Sequence, residues 1–155
     1  MDTQIQKLSQ KNAEEIANEW KYEEKYSFYN MTEDPEDYEE IISPVLRKSN
    51  YFQVVENNEL FGFFVLEQSA DIVDIGLGMK PELTGNGLGS QFISLIIIYV
   101  KQHYLVSVST IRLNVAKFNI RAQKCYEKSG FIKTREYQQP TNGALYPFVE
   151  MELYI

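Results

Sequence analysis

A chain of 155 residues, 44% hydrophobic and 24% charged, is long enough to bury one core and has the composition of an ordinary globular domain. Its net charge of −7 and single cysteine exclude a clustered basic nucleic-acid footprint, an internal disulfide framework and a cysteine-built metal site. A polar N-terminus without an apolar signal region, and a longest apolar run (92–100) far short of the ~20 residues of a spanning helix, lead us to expect one cytoplasmic domain over residues 1–155.

Residues 3–8 (TQIQKL) read as a short first strand with little signal of its own. Ser9 then stands as an N-cap before a helix that aligns Ala13, Ile16, Ala17 and Trp20 on one face. The stretch KYEEKYSFYN is aromatic and charged, and reads as an irregular or loosely helical connection. Asp34-Pro35 is a second N-cap followed by proline at the first helical position. Tyr38, Ile41, Ile42 and Val45 continue that helix, and Pro44 should end or kink it near Ser43. From Tyr51 the apolar period changes. YFQVVE and LFGFFVLE are strands joined at Asn57-Asn58, residues that tolerate the left-handed conformation of a hairpin turn. After a break at Ser69-Ala70, DIVDIGLGMK is the third strand of a meander.

A glycine-bearing turn, ELTGNGLG, follows and opens the helix SQFISLIIIYVKQH. IRLNVA (111–116) is a short buried strand that a right-handed crossover would lay parallel to the strand before the helix. Asn119 caps a further helix, NIRAQKCYEKS, which Gly130 closes in the C′ position. FIKTREY and LYPFVEMELYI are the closing strands, joined by a loop that includes Thr141-Asn142-Gly143. Strands and helices in this order imply an α/β (α+β) mixed sheet with helices on both faces.

The turn carries the most chemistry. Glycines at 85, 87 and 89 can take positive φ and let a ligand approach the main chain. A helix opening there presents unbonded N–H groups and the positive end of its dipole, which suits a phosphate group. No Gly-Lys-Ser/Thr follows, so the turn is not a P-loop, and the glycine spacing does not fit a dinucleotide fingerprint. In the second motif, Ala122, Cys125, Tyr126 and Ser129 share a helix face. Taken alone, Tyr126 is a core tyrosine, Cys125 a small buried hydrophobe and Asn119 an N-cap.

Together, TGNGLG after an LGMKP strand end and NVAKFNIRAQKCYEKSGF some thirty residues later resemble the GCN5-related N-acetyltransferase (GNAT) family. Its acyl-CoA motif is Q/R-x-x-G-x-G/A, and its second motif ends N-x-x-A-x-x-x-Y-x-x-x-G-F. Residues 84–89 match the first, except that Thr84 stands where Gln or Arg is usual. Asn119, Ala122, Tyr126, Gly130 and Phe131 match the second, and the element order agrees over nearly the whole chain.

The resemblance implies acetyl-CoA as acyl donor and a largely antiparallel sheet splayed between two central parallel strands. The main chain of Leu77, Gly78 and Met79 would pair with the pantetheine arm. The amides of Thr84, Gly85, Asn86, Gly87, Leu88 and Gly89 would hold the diphosphate, and Asn119 would bond the cofactor near the pantetheine. The missing Gln or Arg at Thr84 implies weaker cofactor affinity without loss of binding. Tyr126 would face the thioester sulfur as general acid, in a direct attack by a primary amine within a ternary complex. Asp74 is the candidate base, with Asp71 and Glu150 as substitutes. His103 is given no catalytic role, and no metal is expected. Tyr26, Phe28 and Tyr29, with Tyr22 and the acidic run from Glu33 to Glu40, are expected to border the acceptor pocket, where aromatic faces and carboxylates suit a cation. The acceptor is expected to be a small-molecule or peptide amine, with no nucleic acid and no membrane; the exposed aromatics leave a homodimer open. The rival reading is a non-catalytic acyl-CoA-binding sensor or interaction module, and a third is a nucleotide-binding α/β protein.

Overall fold

The structure is a computed structural model that describes residues 3–104 and 107–155. In chain order the elements are β1 (Thr3–Lys7), α1 (Gln10–Glu19), α2 (Pro35–Ile42), α3 (Pro44–Arg47), β2 (Tyr51–Glu56), β3 (Glu59–Ser69), β4 (Ile72–Met79), α4 (Gly89–Tyr104), β5 (Thr110–Ala116), α5 (Ile120–Lys128), β6 (Ile132–Thr141) and β7 (Ala144–Tyr154). The strands form a seven-stranded mixed sheet in the order β1-β2-β3-β4-β5-β7-β6. Pairing is antiparallel at β1–β2, β2–β3 and β5–β7, and parallel at β4–β5. The chain divides into two compact units: Met1–Val65, Leu77–Leu83 and Thr141–Ala144 form one, and Leu66–Gly76, Thr84–Pro140 and Leu145–Ile155 the other.

In the first unit, α1 forms as its residues dictate. The Ser9 side chain accepts from the Asn12 N–H, and Ala13, Ile16 and Ala17 are buried along one stripe with Trp20 at the end. These pack with Leu8, Ile41, Tyr51 and Phe63 into one cluster, in which the Tyr51 and Phe63 rings stack at 6.5 Å. The poorly signalled first strand is present because β2 offers it a partner, with Thr3 opposite Glu56 and Lys7 opposite Phe52. Asn57 and Asn58, at φ 53° and 69°, make the expected left-handed hairpin turn. The connection at Glu24–Tyr29 is a 3₁₀ turn.

Two expectations need correction here. Val45 does not continue the second helix. Asp34 caps α2, which ends at Ile42, and Ser43 caps a separate turn, α3, leaving Val45 81% exposed. Proline lacks the N–H that an extended α2 would need, so Pro44 starts a new helix instead of prolonging the old one. The first closing strand is also longer than expected. β6 runs through Thr141, and the connection shrinks to Asn142-Gly143, at φ 50° and 79°.

In the second unit, α4 buries Phe92, Ile93, Ile96 and Val100, while β4, β5 and β7 contribute Val73, Ile75, Ile111, Leu113, Val149 and Met151 to the buried set. The β4–β5 ladder pairs Ile72–Ile75 with Thr110–Leu113 and stops there. Beyond Leu113, β5 keeps its register with β7, ending with Ala116 opposite Phe148. Asn119 accepts from the Ala122 N–H to start α5, and Gly130 closes it at φ 101°, where only glycine avoids strain.

Candidate active site

In the second unit the glycine turn lies where the sequence puts it. Gly85 and Gly87 take φ of 76° and 75°, so both need glycine for backbone reasons. The Asn86 side chain donates to the Thr84 carbonyl at 3.0 Å, bracing the loop from within. α4 opens at Gly89, and the Phe92 N–H returns to the Leu88 carbonyl at 3.0 Å. The N–H groups of residues 89–91 therefore have no partner inside the helix, which is the arrangement that favours an anion.

α5 runs beside this turn in register. A Cβ placed on Gly85 would lie 3.4 Å from Arg121 Nη1, and one on Gly89 would lie 3.1 Å from Cys125 Sγ. Arg121 and Cys125 are four residues apart, as are the two glycines, so one face of α5 meets the turn at two successive points. Cys125 is half-buried there with its sulfur 3.7 Å from Ser90 Oγ, a packing position. Tyr126, one residue on, is half-buried with its ring 6.1 Å from Phe131. Asn119 is buried, and its side-chain oxygen is spent on the α5 cap at 3.1 Å.

Each candidate base has a cationic or hydroxyl partner. Asp74 is gripped on both oxygens by Arg112, at 2.7 Å to Nε and 2.7 Å to Nη2. That bond and the Asp74 charge, against the cost of burial, raise the guanidinium pKa above its ordinary value. Glu150 is 8% exposed and accepts from Thr134 Oγ1 at 2.8 Å and from Arg135 Nε at 3.1 Å. Asp71 accepts from Ser109 Oγ at 2.6 Å. Near Glu150, the Tyr137 hydroxyl donates to the Asn114 side chain at 2.8 Å, and burial is the main cause that raises its pKa. His103 stacks on Tyr99 at 3.9 Å, with Nδ1 against the Tyr99 carbonyl.

In the first unit, Leu77, Gly78 and Met79 end β4. Gly78 is held close to Phe63: an added Cβ would come within 2.5 Å of its ring. The Met79 carbonyl accepts from the Tyr22 hydroxyl at 2.7 Å, and burial pushes the Tyr22 phenol well above its usual range. Tyr26, Phe28 and Tyr29 are half-buried on the 3₁₀ turn, with Phe28 and Tyr29 edge-to-face at 5.4 Å. The Lys25 ammonium lies 5.4 Å from the centre of the Tyr26 ring, so that face already holds a cation. This segment is pinned by the β6–β7 turn: Asn142 Nδ2 donates to the Phe28 carbonyl at 2.9 Å, and Asp34 Oδ2 accepts from Thr141 Oγ1 at 2.8 Å. Sequence reasoning missed this tie, and it did not place Arg121 beside the glycine turn.

The model of the acetyltransferase (GNAT) family matches residues 13–131, which take in the turn, α5 and Tyr126. The chain belongs to the GNAT family. Among solved structures, a chimera of the spermidine N-acetyltransferase from Vibrio cholerae with hSSAT is similar at 18% identity and a TM-score of 0.72. It covers 98% of this chain and 95% of that one. A GNAT acetyltransferase from Bacillus anthracis is similar at 15% identity and 0.74, over 98% and 94%. An aminoglycoside acetyltransferase in complex with coenzyme A is similar at 18% and 0.73, over 99% and 95%. No curated protein matches by sequence. At these identities the likeness establishes the GNAT fold, and with the family match it makes the chain an acyltransferase. Among the described residues, no helix is long and apolar enough to cross a membrane.

Proposed function

We propose that this GNAT protein transfers an acetyl group from acetyl-CoA to a primary amine, in a cytoplasmic setting that suits its single cysteine. The observation that carries the reading is the glycine turn, with two positive-φ glycines opening α4 beside the helix that bears Tyr126. The amides from Thr84 to Gly89 hold the diphosphate, while the main chain of Leu77, Gly78 and Met79 pairs with the pantetheine arm. Asn119 serves chiefly by fixing the start of α5.

The chemistry is a single displacement. The amine lone pair forms a bond to the thioester carbonyl carbon, and a main-chain N–H stabilises the oxyanion. The C–S bond then breaks, and the departing thiolate takes the Tyr126 phenolic proton. The ammonium proton formed on attack passes to a base. Asp74 is our assignment for that base, acting through water, because Arg112 occupies one lone pair on each oxygen and leaves the others for solvent. Tyr26, Phe28 and Tyr29 form an aromatic wall for the acceptor, whose class is a cationic small molecule or peptide amine.

The deciding experiment adds a panel of polyamines, aminoglycosides, amino acids and peptides to protein with acetyl-CoA and follows free thiol. The expected result is amine-dependent thiol release that Tyr126→Phe slows about 10²-fold or more while CoA still raises the melting temperature. CoA stabilisation with no thiol release from any amine would instead make the chain a sensor.

A further inference from the structure

We infer that Arg121, from the first turn of α5, supplies the positive charge that the glycine turn lacks and grips the diphosphate of the CoA moiety from the side. This rests on the acyl-CoA reading above. Residues 81–89 contain no Lys or Arg, and Lys80 just before them is engaged with Glu82 at 3.6 Å. Backbone amides and a helix dipole present only partial charges to a ligand that brings about two full negative charges in its diphosphate. The net charge of −7 makes that deficit worse.

Arg121 is a cation in position to offset it. Its Nη1 lies 3.4 Å from where a Gly85 Cβ would be, which puts the guanidinium beside the loop. The second point of register, Cys125 against Gly89, fixes the rotation of α5, so Arg121 faces the turn by construction of the helix. A guanidinium presents two parallel N–H donors to a phosphate, which a lysine cannot. Lys124 and Lys128 follow on the same side of α5, so the charge extends away from the turn. That stripe creates a rival target, a phosphate elsewhere on the nucleotide end of the cofactor, and the experiment must separate the two.

The test measures the affinity of wild type, Arg121→Ala and Arg121→Lys for CoA and for dephospho-CoA, which keeps the diphosphate but lacks the ribose phosphate. Arg121 is exposed and alanine favours a helix, so the fold should survive, with circular dichroism as the control. The expected result is about a tenfold rise in Kd for both ligands in Arg121→Ala, a shallower salt dependence, and partial recovery in Arg121→Lys. A loss confined to CoA would assign Arg121 to the ribose phosphate and overturn the proposal. Unchanged affinity for both ligands, with wild type binding normally, would overturn it while leaving the acyl-CoA reading intact. Failure of wild type to bind either ligand would remove that reading and this one with it.

Discussion

Replacing Asp34 by alanine should destabilise the protein by about 2–3 kcal/mol, and the structure shows how that sum arises. One carboxylate oxygen caps α2, accepting from the Glu36 and Asp37 N–H groups at 3.0 and 3.3 Å. Loss of such a cap costs about 1 kcal/mol. The other oxygen accepts from Thr141 Oγ1 at 2.8 Å and from the Asn142 N–H at 3.2 Å, tying the β6–β7 turn to the start of α2. Those two bonds are worth about 1 kcal/mol each in a partly exposed setting, and less than their sum because they share an atom. Asp34→Asn separates the contributions. Asparagine caps as well as aspartate, but its amide nitrogen cannot accept from the Asn142 N–H, so about half the penalty should remain.

Burial raises the Asp34 pKa, but the Thr141 hydroxyl and the amides of Asn142, Asp37 and Glu36 outweigh it and hold the pKa below the ordinary 3.8. A depressed carboxyl contributes stability that is present above its unfolded value and lost as pH falls through the folded one. The Asp34→Ala penalty should therefore be largest near pH 5, partly offset at pH 7 where Asp37 is ionised beside it, and should shrink below about pH 4. Urea unfolding of the three proteins at pH 7, 5 and 3 measures this. An Asp34→Asn penalty equal to that of Asp34→Ala would refute the divided role of the carboxylate. A penalty unchanged at pH 3 would refute its ionised state.

Three further outcomes follow from the same geometry. Tyr126→Phe should lower kcat by about 10²-fold or more with CoA affinity unchanged, read by thiol release and calorimetry; an unaltered kcat removes the general acid from the scheme. Gly78→Ala should cost about 1–3 kcal/mol by overpacking, because its Cβ would lie 2.5 Å from a Phe63 ring atom in the buried cluster; an unchanged melting temperature would show that the ring can yield. Asp37 is exposed yet is pushed up to about 6, first by partial loss of solvent and then by Asp34, Glu40 and Glu36 around it, so its ionised form opposes folding. Its contribution is full below 3.8 and lost as pH rises through about 6, so Asp37→Asn should gain stability relative to wild type between pH 4 and pH 7.5. Equal melting-temperature differences at the two pH values would contradict that.

The functional reading owes as much to where the motifs sit as to their letters. TGNGLG could have been an idle turn; it opens α4 with two glycines at positive φ and lies against α5, so the two family motifs meet in space. The carboxylates are a different matter. Asp74 stood alone in the sequence, and the structure pairs it with Arg112, 38 residues away, through the parallel β4–β5 register. If Asp74 serves as the base, that partner favours relay through water over direct contact.

What the sequence alone determined was carried by neighbours along the chain. Ser9, Asp34 and Asn119 cap helices because a short polar side chain reaches an N–H two or three residues on, and Asn57-Asn58 and Gly130 turn because their own φ allows it. Even the misplaced Val45 was a local error, a helical period carried past a proline that restarts the helix. Only the tertiary structure decided that Asp34 holds Thr141 across 107 positions, that Arg112 holds Asp74, and that Arg121 lies beside Gly85. Such partners are chosen by strand register and by the rotation at which a helix docks. Both are set by the packing of the whole core, to which each residue adds too little for its own neighbourhood to reveal the outcome.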